Sequence, residues 1–169
     1  MAEQFWDEVF SIGGKNPGYC RTGRLQPIAD DASLALAQAR HATAKELWGD
    51  AATWDVIQAN QSQWEPPSAS GLLIHDTLSA HLHPWKACMS LVSALQSKGI
   101  KIAAEGPDQG PVVWATGVDG LNSLNIGRNR AVGNGVKGQA VLLDCDMRGN
   151  PQLFADTLHF VPHLSLIHI

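Results

Sequence analysis

The run Val141-Leu142-Leu143, followed at once by Asp144-Cys145-Asp146, constrains this chain more than any other stretch. An unbroken apolar run reads as an interior strand, because a strand covered on both faces has no need to alternate. Residues i and i+2 of a strand share a face, so Asp144 and Asp146 are expected to point at one hard cation. Mg²⁺ or Mn²⁺ takes oxygen ligands, often one or two carboxylates completed by substrate phosphates. The wider segment, Asn125 to Leu153, reads as a short polar helix, the strand, then an acidic turn. Arg128 and Arg130 flank Asn129 in that helix, and guanidinium groups suit phosphate. Plainer readings stand beside these. The acidic pair can be a strand end breaking into a solvated hairpin turn, and the arginines a solvated helix start.

The rest of the chain reads as α/β. Residues 8–12 form a candidate first strand, and Gly13 to Gly18 has loop chemistry without the closing Gly-Lys-Ser/Thr of a P-loop. Asp30 or Asp31 can cap a helix running to about Leu47, broken by Gly49-Asp50. A second short helix is expected over 52–59, then a polar, proline-containing connection over 58–70. Gly71 to Ile74 reads as a strand ending at His75-Asp76. A helix follows over 84–97, with Trp85, Cys88, Met89, Val92 and Leu95 as its apolar face, and Lys98-Gly99 ends it. Ile100 to Ala104 is read as the next strand and Pro111 to Ala115 as another. A strand–helix–strand unit implies a parallel pair with a right-handed crossover. Ligands of such sheets bind beyond the carboxyl ends of the strands, which places His75-Asp76, Glu105 and Asp144-Asp146 along one rim. Arg148 to Pro151 is a turn, and 152–161 a strand or short helix.

Composition narrows the class. The chain has 169 residues, is 44% hydrophobic and only 17% charged, so it is globular rather than disordered. A net charge of −4 argues against nucleic acid as a partner. Cys20, Cys88 and Cys145 show no metal-type spacing and no paired framework, which suits a reducing, cytoplasmic setting. No apolar run reaches membrane-spanning length, and the acidic start is unlike a signal peptide. Leu164 to Ile169 spells what one frame of a common sequencing adapter encodes. Residues 164–169 are therefore expected to be a non-native tail, and residues 1–163 a single α/β domain, incomplete at its C-terminus.

The central segment resembles the core motif of family 2 glycosyltransferases. In that family an Arg-Asn pair opens a helix, a small residue and a glycine follow, and an apolar strand ends in Asp-x-Asp, with a proline and a leucine shortly after. Arg128-Asn129, Ala131, Gly138, Val141 to Leu143, Asp144-Cys145-Asp146, Pro151 and Leu153 follow that order. Ala131 stands where glycine is usual, and Gly138 sits about one residue close to the acidic pair. The resemblance covers roughly 70–155. It implies a GT-A-like, Rossmann-type mixed or parallel sheet with flanking helices. It also implies transfer of a sugar from a nucleoside-diphosphate donor to an acceptor hydroxyl. Asp144 and Asp146 would hold Mg²⁺ or Mn²⁺ against the diphosphate; Asp76, Arg128, Asn129 and Asp144 would contact the nucleotide sugar. The general base of inverting members would lie after the visible end, so a chain of this extent is expected to bind donor and turn over poorly.

Two other classes stay open. His41, His75-Asp76 and Asp144 follow the order of HD-type phosphohydrolases, whose His, His-Asp and Asp bind a divalent metal that activates water. That fold is all-helical. A non-enzymatic binding or virion-type protein with a coincidental acidic hairpin is the third.

Overall fold

The computed structural model describes residues 2–107, 109–163 and 167–168. They divide into two compact units, one of residues 1–101 with 140–169 and one of 102–139. The architecture is α/β with a mixed sheet.

The larger unit opens with helix α1 (Ala2–Gly13), not with the strand expected over 8–12. Trp6 and Val9 recur at helical spacing, and Val9 is buried. α1 packs on α3 (Pro84–Ser97) at very close range. A Cβ on Gly13 would lie 2.6 Å from the backbone nitrogen of Ala94. Two hydroxyls of α3 fasten the contact: Ser93 Oγ donates to the Gly13 carbonyl at 2.7 Å and Ser90 Oγ to that of Lys15 at 2.6 Å. The buried face of α3 is accordingly small, Ala87, Ser90 and Ala94. Of the apolar face expected of Trp85, Cys88, Met89, Val92 and Leu95, Trp85, Cys88 and Leu95 are exposed instead and Met89 and Val92 are half-buried. Bulky side chains on the α1 side would hold the two backbones apart.

Helix α2 (Asp31–Trp48) forms as its sequence dictates. Asp30 is the N-cap, accepting from the Ser33 backbone N–H at 2.8 Å and the Ser33 hydroxyl at 2.6 Å. α2 lies against β2 (Trp54–Gln58), which replaces the helix expected over 52–59. About eight residues are too few to hold a helix in water, whereas Trp54, Val56 and Ile57 suit a pleated surface. β2 pairs antiparallel with β3 (Leu72–Asp76) from Trp54↔Asp76 to Gln58↔Leu72. The core joins Ile28, Ala37, Ala44, Trp54 and Ile74. Trp54 sits edge-on to Trp48 at 6.5 Å and donates its indole N–H to the Ala37 carbonyl at 3.1 Å. Each large apolar side chain fully buried here contributes about 1.5–3 kcal/mol.

β1 (Arg24–Pro27) lies beside β3, antiparallel, in the register Arg24↔Asp76 to Pro27↔Leu73. Its other edge takes β5 (Gln152–Ala155) in parallel, Arg24↔Gln152 and Leu25↔Leu153. β5 and β6 (Leu158–Pro162) form a hairpin. Its two loop residues, Asp156 and Thr157, have φ of +48° and +69°, the signature of the tight turn that matches strand twist. Two short strands, β4 (Leu142–Leu143) and β7 (Ile167–His168), complete the order β2-β3-β1-β5-β6-β7-β4. Apart from the backbone of β7, the expected non-native tail over 164–169 lies outside the described residues.

Several expectations are corrected. Residues 100–104 and 111–115 form no strand, so the crossover unit expected after β3 is not formed, and among the described residues the only parallel pair is β1 with β5. The rim predicted from the parallel crossover goes with it. β4 is two residues long, and Leu142 and Leu143 are 53% and 39% exposed, so the apolar run is an exposed edge rather than an interior strand. In the smaller unit, α4 (Gly117–Asn125) ends before the arginines, which follow it in irregular chain. Asn125 organises that chain, donating to the Gly133 carbonyl at 2.9 Å and accepting from Val132 N–H at 2.8 Å. No helix among the described residues is long and apolar enough to cross a membrane.

Candidate functional site

The residues singled out in the sequence separate. Cys145 N–H donates back to the Leu143 carbonyl at 3.1 Å, which turns the chain immediately after β4. Asp144 and Asp146 therefore do not share a strand face. Both are exposed, and Asp146 is occupied by Arg148, whose Nε donates at 2.7 Å. That partner holds the Asp146 carboxyl below its ordinary value and the Arg148 guanidinium above its own. Arg128, Asn129 and Arg130 are exposed and open no helix. His41 is taken up by the Trp54 carbonyl and, at 3.3 Å, by Asp55. Among the described residues no three His, Cys, Asp or Glu are placed to share a metal ion.

Asp76 is different. It is 2% exposed at the end of β3, in register with Arg24 of β1 on one side and Trp54 of β2 on the other. Its carboxylate accepts from Ser79 N–H at 2.7 Å, Ser79 Oγ at 2.9 Å and Arg24 Nε at 3.2 Å. Gly23, immediately before β1, has φ +77°, and a Cβ there would stand 2.4 Å from the Asp76 carbonyl oxygen. Only glycine meets both demands. Its carbonyl accepts from Gln152 N–H at 2.9 Å, and Gln152 is itself buried. Arg24 also bears on His159 of β6, whose proton affinity is lowered first by burial and then by that charge. With its oxygens satisfied internally, Asp76 serves the sheet.

A second cluster encloses a cavity of about 150 Å³. The segment 16–20, the turn 81–83 and residues 148–149 and 162–163 wall it. Backbone pairing of Cys20 with His81, 2.9 Å in both directions, sets two of these walls side by side. His83 caps α3, accepting from Lys86 N–H at 3.4 Å, with Pro84 opening the helix. The His163 ring, only 7% exposed as a residue, lies edge-on to His81 at 5.4 Å and to His83 at 5.6 Å. The Nδ1 atom of His81 is buried and meets no hydrogen-bond partner among the described residues. Burial lowers the proton affinity of His81 and, foremost among several causes, raises the pKa of Tyr19. Tyr19 and His163 carry no signal in sequence and Arg148 only that of a turn; His81 and His83, with His41 and His75, read either as metal ligands or as ordinary loop histidines. The His-Leu-His-Pro stretch before α3 was the one local clue, since it marks a helix start.

No protein-family profile and no curated protein matches this chain. Solved structures do. Glycine oxidase from Geobacillus kaustophilus aligns with 99% of the chain at a TM-score of 0.68 and 13% identity. L-amino acid deaminase from Proteus myxofaciens, in complex with anthranilate, aligns with 98% at a TM-score of 0.56 and 16% identity. The chain spans 51% and 44% of those structures, about half their length. The likeness shows the fold. It overturns the resemblance to family 2 glycosyltransferases, since both matches are amino-acid enzymes by name and the Asp-x-Asp geometry is not formed. The nucleoside-diphosphate sugar and Mg²⁺ or Mn²⁺ are withdrawn with it, and so are the contacts those ligands implied for Asp76, Arg128, Asn129, Asp144 and Asp146. The HD-type phosphohydrolase falls as well, because the fold is α/β and His41, His75, Asp76 and Asp144 form no metal cluster.

Proposed function

We propose that this chain belongs to an oxidoreductase acting on amino acids, and contributes the mixed sheet with α1, α2 and α3. The observation that carries this reading is the alignment of nearly the whole chain with glycine oxidase. The match to an L-amino acid deaminase supports the same substrate class. Oxidising an amino acid takes a redox cofactor, and a flavin supplies the two-electron chemistry that side chains lack.

The described residues do not fit the dinucleotide cradle of such a cofactor. Gly133 to Gly138 spells Gly-x-Gly-x-x-Gly, but it follows no strand and opens no helix, and that setting gives the pattern its phosphate-binding geometry. The flavin is therefore not assigned to these residues. The free thiols of Cys20, Cys88 and Cys145 suit a reducing, cytoplasmic compartment.

The reading is tested by ligand-observed NMR on the folded chain with a panel of amino acids, their 2-oxo acids, secondary amines and acetate. Amino acids or 2-oxo acids are expected to bind with a dependence on their side chain. Binding of none of them more tightly than acetate would refute the reading.

A further inference from the structure

We propose that the apolar face of residues 102–139 is the docking surface for a further segment of the same polypeptide, about as long as this chain, that carries the other half of the fold. The proposal rests on the fold likeness and not on the amino-acid reading, which the ligand panel tests by itself.

The smaller unit has no core of its own. It spans fewer than about 40 residues, a size at which a domain usually needs disulfides, a metal or a partner chain to fold. It holds no cysteine, and its described residues include no metal-binding cluster and no buried side chain. Yet it is not a polar linker. Val113 is 89% exposed and Trp114 75%, and Val118 and Leu124 of α4 are exposed as well. Scattered exposed apolar residues are ordinary, but a contiguous apolar patch marks an interaction surface. Here Trp114, Leu121 and Leu124 line one groove of about 640 Å³. Asp119 is the only charged residue of that lining, so apolar burial rather than ion pairing drives the docking. Val112 to Trp114 gives a second sign. An unbroken apolar run suits a segment covered on both faces, and no strand pairs with it among the described residues.

The fold likeness selects the occupant. Glycine oxidase aligns with 99% of this chain, so the match takes in 102–139, but this chain covers only 51% of it. The rest of that fold is carried by the same polypeptide as the matched half. A second copy of this chain would bring the same half again and not the missing one.

The test begins with the genomic DNA on both sides of this coding sequence, which gives the complete reading frame. The complete protein and the 169-residue chain are then compared by hydrogen exchange with mass spectrometry. Amides of 112–126 are expected to exchange fast in the 169-residue chain and at least about tenfold more slowly in the complete protein, with β1 to β3 protected in both. Val113→Asp and Leu124→Asp are expected to lower the Tm of the complete protein by several degrees and to leave that of the shorter chain unmoved. If the shorter chain does not fold alone, slow exchange and the two losses of Tm in the complete protein decide the matter. A reading frame without a further segment of comparable length would overturn the proposal, as would fast exchange of 112–126 in the complete protein. So would protection already present in the 169-residue chain, which at all concentrations would assign the cover to the larger unit and, if it grew with concentration, to a second copy.

Discussion

Replacing Asp76 with alanine is the sharpest test of how this sheet is held together. The substitution removes one acceptor group and strands its donors: Ser79 N–H, Ser79 Oγ and Arg24 Nε. Breaking a buried ion pair by deleting one partner costs about 3–5 kcal/mol. The Asp76 side chain is 3% exposed but that of Arg24 is 28% exposed, so the arginine can turn toward water. That relief puts the expected loss near the low end, about 3 kcal/mol, most of it from the Ser79 backbone N–H and the lost charge-assisted bonds. For a chain of this length such a loss lowers Tm by about 6–12 °C. Asp76→Asn keeps an acceptor for Ser79 and is expected to cost about 1–2 kcal/mol. Urea unfolding followed by circular dichroism measures both, and an Arg24→Ala/Asp76→Ala double-mutant cycle isolates the pair. A loss below about 1 kcal/mol in Asp76→Ala would refute the argument that this carboxylate pins β1 to β3.

Other expectations follow from the same geometry. Gly23→Ala meets a forbidden approach to the Asp76 carbonyl and a positive φ together; it should destabilise by more than about 2 kcal/mol in urea unfolding. Gly13→Leu should prise α1 from α3, read as fast amide exchange in α1 while β1 to β3 stay protected. The proton affinity of His81 is depressed in the fold, so the unfolded chain binds more protons once pH drops below the ordinary histidine value of 6.5. Stability should be full above that pH and decline as pH falls toward the depressed folded value, and His81→Gln should flatten the slope in pH-dependent melts. Mn²⁺ or Mg²⁺ should leave the Tm of the wild type and of Asp144→Ala/Asp146→Ala equally unmoved, since Asp146 is engaged by Arg148 and Asp144 is exposed.

Local chemistry was legible where the segment decided its own structure. Asp30 or Asp31 before an alanine-rich run marks α2, Pro84 and Lys98-Gly99 bracket α3, and the apolar run from Gly71 to Ile74, ending at His75-Asp76, marks β3. Legibility failed where a partner decided. Trp54 to Gln58 has the residues of either a short helix or a strand, and pairing with β3 settles it. The face of α3 was misread because a close helix neighbour selects small residues over large ones. Asp144 and Asp146 looked convergent only while Val141 to Leu143 was taken as a strand that continues. The chain instead turns after a two-residue edge. The cavity could not be read from spacing at all, since His81, Tyr19, Arg148 and His163 meet only after β1 has found β5.

That parallel pairing has a consequence for the newborn chain. On the ribosome, β2, β3 and β1 can assemble with α2 as soon as Asp76 has emerged, but the outer edge of β1 must wait for Gln152. Throughout that interval Arg24 to Pro27 presents open backbone groups, the kind of edge on which nascent chains stick to one another. Pro27 withholds one amide at its far end, and Arg24 sets a charge at the near one. The short strand thus carries its own protection during the part of its life when it is most exposed.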